Sequence, residues 1–138
     1  MRGFIIIGIL LTSTFLGCQK DRVYEKTFAI PNSTWTYRDS AEFIVHIKDT
    51  SSLYRLFLDV GYTKEYAFQN LYTRIQTILP SGKSLSKPLS LELFTPSGKS
   101  YGEGAGAAQH RLITLQENIR FDTPGDYTFS LTQFMRKD

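Results

Sequence analysis

The chain is poor in the side chains that usually carry chemistry. Of its 138 residues one is cysteine, two are histidine and one is tryptophan. A lone cysteine excludes an internal disulfide, so the folded part must be held together by packing alone. His46 and His110 have no second histidine, cysteine or carboxylate at ligand spacing, and no metal site is expected. There is no Gly-x-Ser-x-Gly elbow, and the acidic residues are dispersed rather than paired, so no catalytic set is visible. An excess of one charge sign is also missing: 16 basic against 13 acidic residues leave a net charge of +3. Those charges are scattered and form no stripe for nucleic acid. No segment carries a convincing 3.6-residue period, which argues against helices.

What the chain does have begins at its start. Arg2 precedes Phe4–Leu16, a run of 13 residues without charge. At about 1.5 Å per helical residue this run is too short to cross a hydrocarbon core of roughly 30 Å, and it reads as a secretory signal. Phe15-Leu16-Gly17-Cys18 follows, then polar Gln19-Lys20-Asp21. The small residue before Cys18 is similar to a bacterial lipoprotein signal, in which cleavage leaves the cysteine as a lipid-modified N-terminus. The expected organisation is a lipoprotein signal peptide over 1–17, a lipidated tether over 18–26 and one domain over 27–138. Without residues 1–17 the chain keeps 121 residues, enough for one core. The partner implied first is therefore a membrane, held through Cys18.

The rest of the chain alternates with a period of two. Ala41, Phe43, Val45 and Ile47 share one side of a first strand. Tyr54, Leu56, Leu58 and Val60 share one side of a second, and Asp49-Thr50-Ser51-Ser52 between them predicts a hairpin. Asn70–Leu79, Pro88–Phe94, Arg111–Gln116 and Tyr127–Phe134 continue the series, and Asn118–Phe121 extends or follows the third of these. Pro80-Ser81-Gly82 and Pro96-Ser97-Gly98 supply turns with fixed and positive φ where each is wanted. Trp35 is the best single core anchor. The fold expected is all-β: an antiparallel β-sandwich of seven or eight strands. The last strand ends near Asp138, and a sheet needing a further strand would be left with an open edge.

Several short motifs invite functional readings. Gly82-Lys83-Ser84 and Gly98-Lys99-Ser100 look like ends of phosphate-binding loops. They lack the upstream glycine, and Thr77 and Leu93 stand in its place, so they read as hairpin turns. Gly102-Glu103-Gly104-Ala105-Gly106 has the wrong spacing for a dinucleotide fingerprint. Asp39-Ser40-Ala41 resembles a short bacterial O-glycosylation site centred on Ser40.

The second half also carries an ordered set of blocks. They are Phe68-Gln69-Asn70-Leu71-Tyr72, Leu79-Pro80-Ser81-Gly82-Lys83, Leu93–Gly98 with Gly102–Gly106, Asn118–Phe121, Pro124–Phe129 and Gln133-Phe134-Met135-Arg136. In this order, behind a lipoprotein signal, they resemble the gliding-motility lipoprotein GldH family of Bacteroidota. That family typically continues past the Met-Arg pair, whereas this chain stops at Asp138. The resemblance implies a non-enzymatic outer-membrane lipoprotein that supports gliding and type IX secretion through protein contacts. It implies no cofactor, no nucleic acid and no small-molecule substrate. Gln19, Lys20 and Asp21 are similar to a surface-export signal, which leaves the leaflet open. Asn70, Tyr72 and Arg136 are candidate partner contacts. The alternative is a surface carbohydrate-binding module using tyrosines such as Tyr62, Tyr66 and Tyr101.

Overall fold

The computed structural model describes residues 21–136. The expected signal peptide and the expected roles of Cys18, Gln19 and Lys20 lie outside the described residues. Asp21, the first described residue, is exposed.

Six strands follow one 3-10 turn at Pro31–Ser33. They are β1 (Ser40–Ile47), β2 (Tyr54–Thr63), β3 (Asn70–Ile78), β4 (Ser84–Glu92), β5 (Ala108–Ile119) and β6 (Gly125–Gln133). β1, β6, β3 and β4 form one antiparallel sheet in that spatial order, and β2 pairs with β5 in a second. The all-β sandwich expected from the alternation is what forms, with six strands among the described residues rather than seven or eight. The segments Arg111–Gln116 and Asn118–Phe121 account for part of the difference, since they run together as β5, and Thr27–Ile30 joins no sheet.

The faces are those the alternation predicts. Ala41, Ile47, Ile75, Tyr127, Phe129 and Leu131 are buried in one cluster with Phe121. Leu56, Leu58, Leu115 and Ile119 of the smaller sheet pack against it, as do Phe28 and Trp35 from the segment before β1. Each such side chain contributes roughly 1.5–3 kcal/mol when fully withdrawn from water. Trp35 also spends its polar handle locally, its indole nitrogen donating to the Asp39 carbonyl at 2.8 Å.

Pairing departs from the expectation in one place. β1 and β2 do not form a hairpin. β1 pairs with β6 (Phe43 opposite Phe129), β2 pairs with β5, and the Asp49 turn carries the chain from one sheet to the other. β6, the last strand among the described residues, lies between β1 and β3. Alternation fixes which side chains face inward, but a strand with one apolar face accepts any partner with a matching face.

The hairpin expected from Pro80-Ser81-Gly82 does form between β3 and β4. Gly82 N–H donates to Leu79 O at 2.8 Å, and Gly82 sits at φ 84°. A type I turn closed by a left-handed glycine is the usual three-residue hairpin. Thr95–Lys99 repeats it, with Gly98 N–H to Thr95 O at 2.9 Å and φ 85°. Both phosphate-loop lookalikes are therefore hairpin turns. β4 begins at Ser84, earlier than the expected Pro88, because it is an edge strand, where a missing N–H is tolerated.

Candidate interaction surface

The outward face of the larger sheet carries exposed apolar side chains in an ordered array. Ile44 and Ile78 both lie in register with Thr128, on either side of β6. Further along, Tyr72 and Phe134 are about half exposed, at 48% and 52%. Strand pairing continues past β6, since Phe134 N–H donates to Tyr72 O at 2.7 Å. The Arg74 guanidinium lies 4.5 Å from the centre of the Phe134 ring, a cation–π contact that holds both side chains against the sheet.

The segment after β6 is tied to this array. Tyr37, also exposed, donates its hydroxyl to the Met135 carbonyl. The Met135 sulfur accepts from Tyr72 N–H at 3.2 Å, and Met135 N–H reaches Gln133 Oε1 at 2.6 Å. A patch results with Tyr37, Tyr72, Phe134 and Arg74 at its centre and exposed Arg136 following Met135. Aromatic residues and arginine are the side chains enriched at protein interfaces: rings bury much area for little lost freedom, and the guanidinium stacks on rings and forks its hydrogen bonds.

Of the three candidate contacts, Tyr72 is at the centre of this patch. Arg136 follows directly on Met135, at its border. Asn70 opens β3 two residues before Tyr72, and its amide donates to Ser90 Oγ at 3.2 Å. Its carbonyl accepts from the Tyr66 hydroxyl at 3.0 Å, and burial pushes the pKa of that hydroxyl up. Arg74, Phe134 and Tyr37 were missed by sequence reasoning. The signal for Phe134 was present: it lies on the Thr128–Thr132 side of the last strand, where a lone aromatic is unexpected. Ser40, the candidate glycosylation site, is half-buried and shares a hydrogen bond with Ser130 Oγ.

The tyrosines behind the carbohydrate reading do not make one platform. The Tyr62 hydroxyl is a packing node: it donates to Leu93 O at 2.9 Å, pairs with Ser100 Oγ at 2.8 Å and accepts from Gly102 N–H at 2.9 Å. Tyr66 is half-buried against Phe68. Tyr101 alone is exposed, and the Arg111 guanidinium stacks 4.5 Å from its ring. Among the described residues no group of three or more histidine, cysteine or carboxylate side chains is placed to hold a metal ion. His46 Nδ1 sits 2.6 Å from Asp126 Oδ1 in the open, and His110 pairs loosely with Asp59 at 3.7 Å.

Fold and surface together define a small β-sandwich whose larger sheet carries an aromatic and basic surface patch. The chain belongs to the GldH lipoprotein family, whose model matches residues 22–138. It is 29% identical over 134 residues to the gliding motility lipoprotein GldH homolog of Christiangramia forsetii, covering 97% of this chain and 82% of that protein. It is 26% identical over 132 residues to the gliding motility lipoprotein GldH of Flavobacterium johnsoniae, covering 94% and 81%. No solved structure matches the chain.

Proposed function

We propose that this protein is a non-enzymatic outer-membrane lipoprotein, tethered through Cys18, that supports gliding motility and type IX secretion by contacting other proteins of that machinery. The family match over 22–138, with two relatives named for gliding motility, carries the reading. The aromatic and basic face around Tyr72, Arg74 and Phe134 supports protein contact as its means, because such a face is costly to leave in water unless something covers it. A lipidated N-terminus holds the domain within a tether's reach of the membrane. One acyl chain is a marginal anchor at about 0.8 kcal/mol per methylene, so a multiply acylated cysteine is required for stable attachment.

Deletion of the gene tests the reading, with colony spreading and secreted-protein yield as readouts. Complementation by the wild-type gene restores both. Cys18→Ala abolishes fatty-acid labelling and restores neither. The double variant Tyr72→Ala, Phe134→Ala reaches the membrane and restores neither. Undiminished spreading and secretion in the deletion strain would refute the function, and full rescue by the double variant would refute the contact face.

A further inference from the structure

Between β4 and β5 the chain comes back against the smaller sheet and forms an open cavity of about 390 Å³ there. Its lining is Asp59, Tyr101, Glu103, His110, Arg111 and Leu112. That volume falls in the range of roughly 300–1,000 Å³ that small-molecule sites occupy.

Backbone contacts fix its walls. Tyr101 N–H donates to Leu93 O at 2.9 Å, and Gly102 N–H donates to the Tyr62 hydroxyl at 2.9 Å. Glu103 and His110 then exchange both N–H···O bonds at 2.8 Å, as an antiparallel bridge. This close approach requires glycine at 102, where an added Cβ would meet the Tyr62 oxygen at 2.6 Å and the His110 carbonyl oxygen at 2.9 Å. On β2, Gly61 lies directly opposite His110 and leaves room for its imidazole, which an added Cβ would crowd at 3.1 Å. The imidazole Nδ1 reaches to 3.7 Å from Asp59 Oδ1.

Charges of both signs line this cavity, and the guanidinium among them stays unpaired. Arg111 stacks on Tyr101 with its guanidinium 4.5 Å from the ring centre, and its Nη1 is buried with no hydrogen-bond partner. Asp59 and Glu103 line the same space, yet among the described residues neither forms an ion pair with Arg111. An unmet buried nitrogen on a charged group is held at a cost to stability, a pattern that recurs at ligand sites.

The lining selects among ligand chemistries. A small anion would gain Arg111 but meet two carboxylates. A metal ion would meet Arg111, and among the described residues no three ligating side chains converge. An apolar molecule would strand the charged groups without water. A neutral sugar ring uses every wall. Its hydroxyls donate to carboxylates and accept from a guanidinium, both charge-assisted bonds. Its C–H face suits the exposed Tyr101 ring and the exposed Leu112 side chain.

We propose that this cavity is a binding subsite for a neutral sugar residue. Tyr101 and Leu112 carry the C–H face, Asp59 and Glu103 accept from hydroxyls, and Arg111 donates to them. The platform of three tyrosines does not form, and Tyr101 acts instead with charged side chains of β2, β5 and its own loop. This site is separate from the patch around Tyr72 and does not rest on the protein-contact reading.

The test is an NMR titration of the full chain, kept soluble in a detergent without a sugar headgroup. The probes are cellotriose, maltotriose and chitotriose. Saturable shifts at millimolar concentration are expected with at least one of them, centred on the amides of Asp59, Tyr101–Glu103 and His110–Leu112. Tyr101→Ala and Glu103→Gln alter exposed side chains, so they fold, and each weakens binding about tenfold. Tyr24→Ala, an exposed tyrosine outside the cavity, leaves binding unchanged. Absence of saturable shifts with every probe at tens of millimolar, shifts centred elsewhere, or wild-type affinity in Tyr101→Ala would overturn the proposal. Tighter binding of phosphate, Ca²⁺ or phenylalanine at the same amides would also overturn it, by assigning the cavity to an ion or a zwitterion.

Discussion

Replacing Thr73 by valine is expected to make the protein more stable. Thr73 is fully buried on β3, in register with Leu89 on one side and Gln133 on the other. Its hydroxyl oxygen has no hydrogen-bond partner. An unmet buried hydroxyl costs about 1–3 kcal/mol, because the bond it made to water in the unfolded chain is not replaced. Valine keeps the β-branch and nearly the same volume, exchanging the hydroxyl for a methyl that belongs in an apolar site. The net expectation is a gain of about 1–2 kcal/mol. For a domain of this size each kcal/mol moves the thermal midpoint by about 4 °C. Urea unfolding followed by Trp35 fluorescence reads it directly, since Trp35 is the only tryptophan and is packed on the core. The midpoint should rise with the slope unchanged. Thr73→Ala serves as control and should lose stability through the cavity it leaves. A valine variant equal to or weaker than wild type would refute the account, because it would mean the hydroxyl is satisfied after all.

Three further outcomes are expected. Tyr62→Phe removes one oxygen that serves three partners and should cost about 1–3 kcal/mol in the same urea assay, with the aromatic contact to Phe94 kept. Gly125→Ala should cost about 1–3 kcal/mol, since φ is 133° and an added Cβ would meet Pro80 carbons at 3.1 Å. Asp49 accepts from the hydroxyl and N–H groups of Ser51 and Ser52, and these bonds, the Ser51 hydroxyl first, hold its carboxyl well below the usual carboxylate range. A folded-state pKa below the unfolded one gives stability that is present above the unfolded value of about 4 and lost as pH falls through the folded value. Carboxyl NMR titration should therefore find Asp49 still ionised where exposed aspartates have protonated, and a normal titration would refute the turn's geometry.

Much of the local structure was legible because its cause is local. Alternation places Phe43, Leu58, Ile75 and Phe129 on inward faces whichever strands they later meet. Pro80-Ser81-Gly82 and Pro96-Ser97-Gly98 fix their hairpins, since proline sets one φ and glycine supplies the positive one. The aromatic and basic patch was legible only in part. Tyr72 could be singled out as a bulky residue on a polar face. Its neighbours Phe134, Arg74 and Tyr37 come from three distant segments, and nothing in their spacing announces that they meet.

The sequence by itself therefore determined the all-β class, the inward and outward faces, the turns, and an N-terminus written like a lipoprotein signal. It also held the ordered blocks that mark the family. The tertiary structure alone decided that β1 crosses to β6 rather than folding back on β2, and that β6 lies between β1 and β3. It also decided that, among the described residues, four strands stand in one sheet and two in the other. The physical reason is that a half-apolar strand specifies a face but not a neighbour. The neighbour is chosen by which combination buries most apolar surface and pairs most backbone across the whole chain.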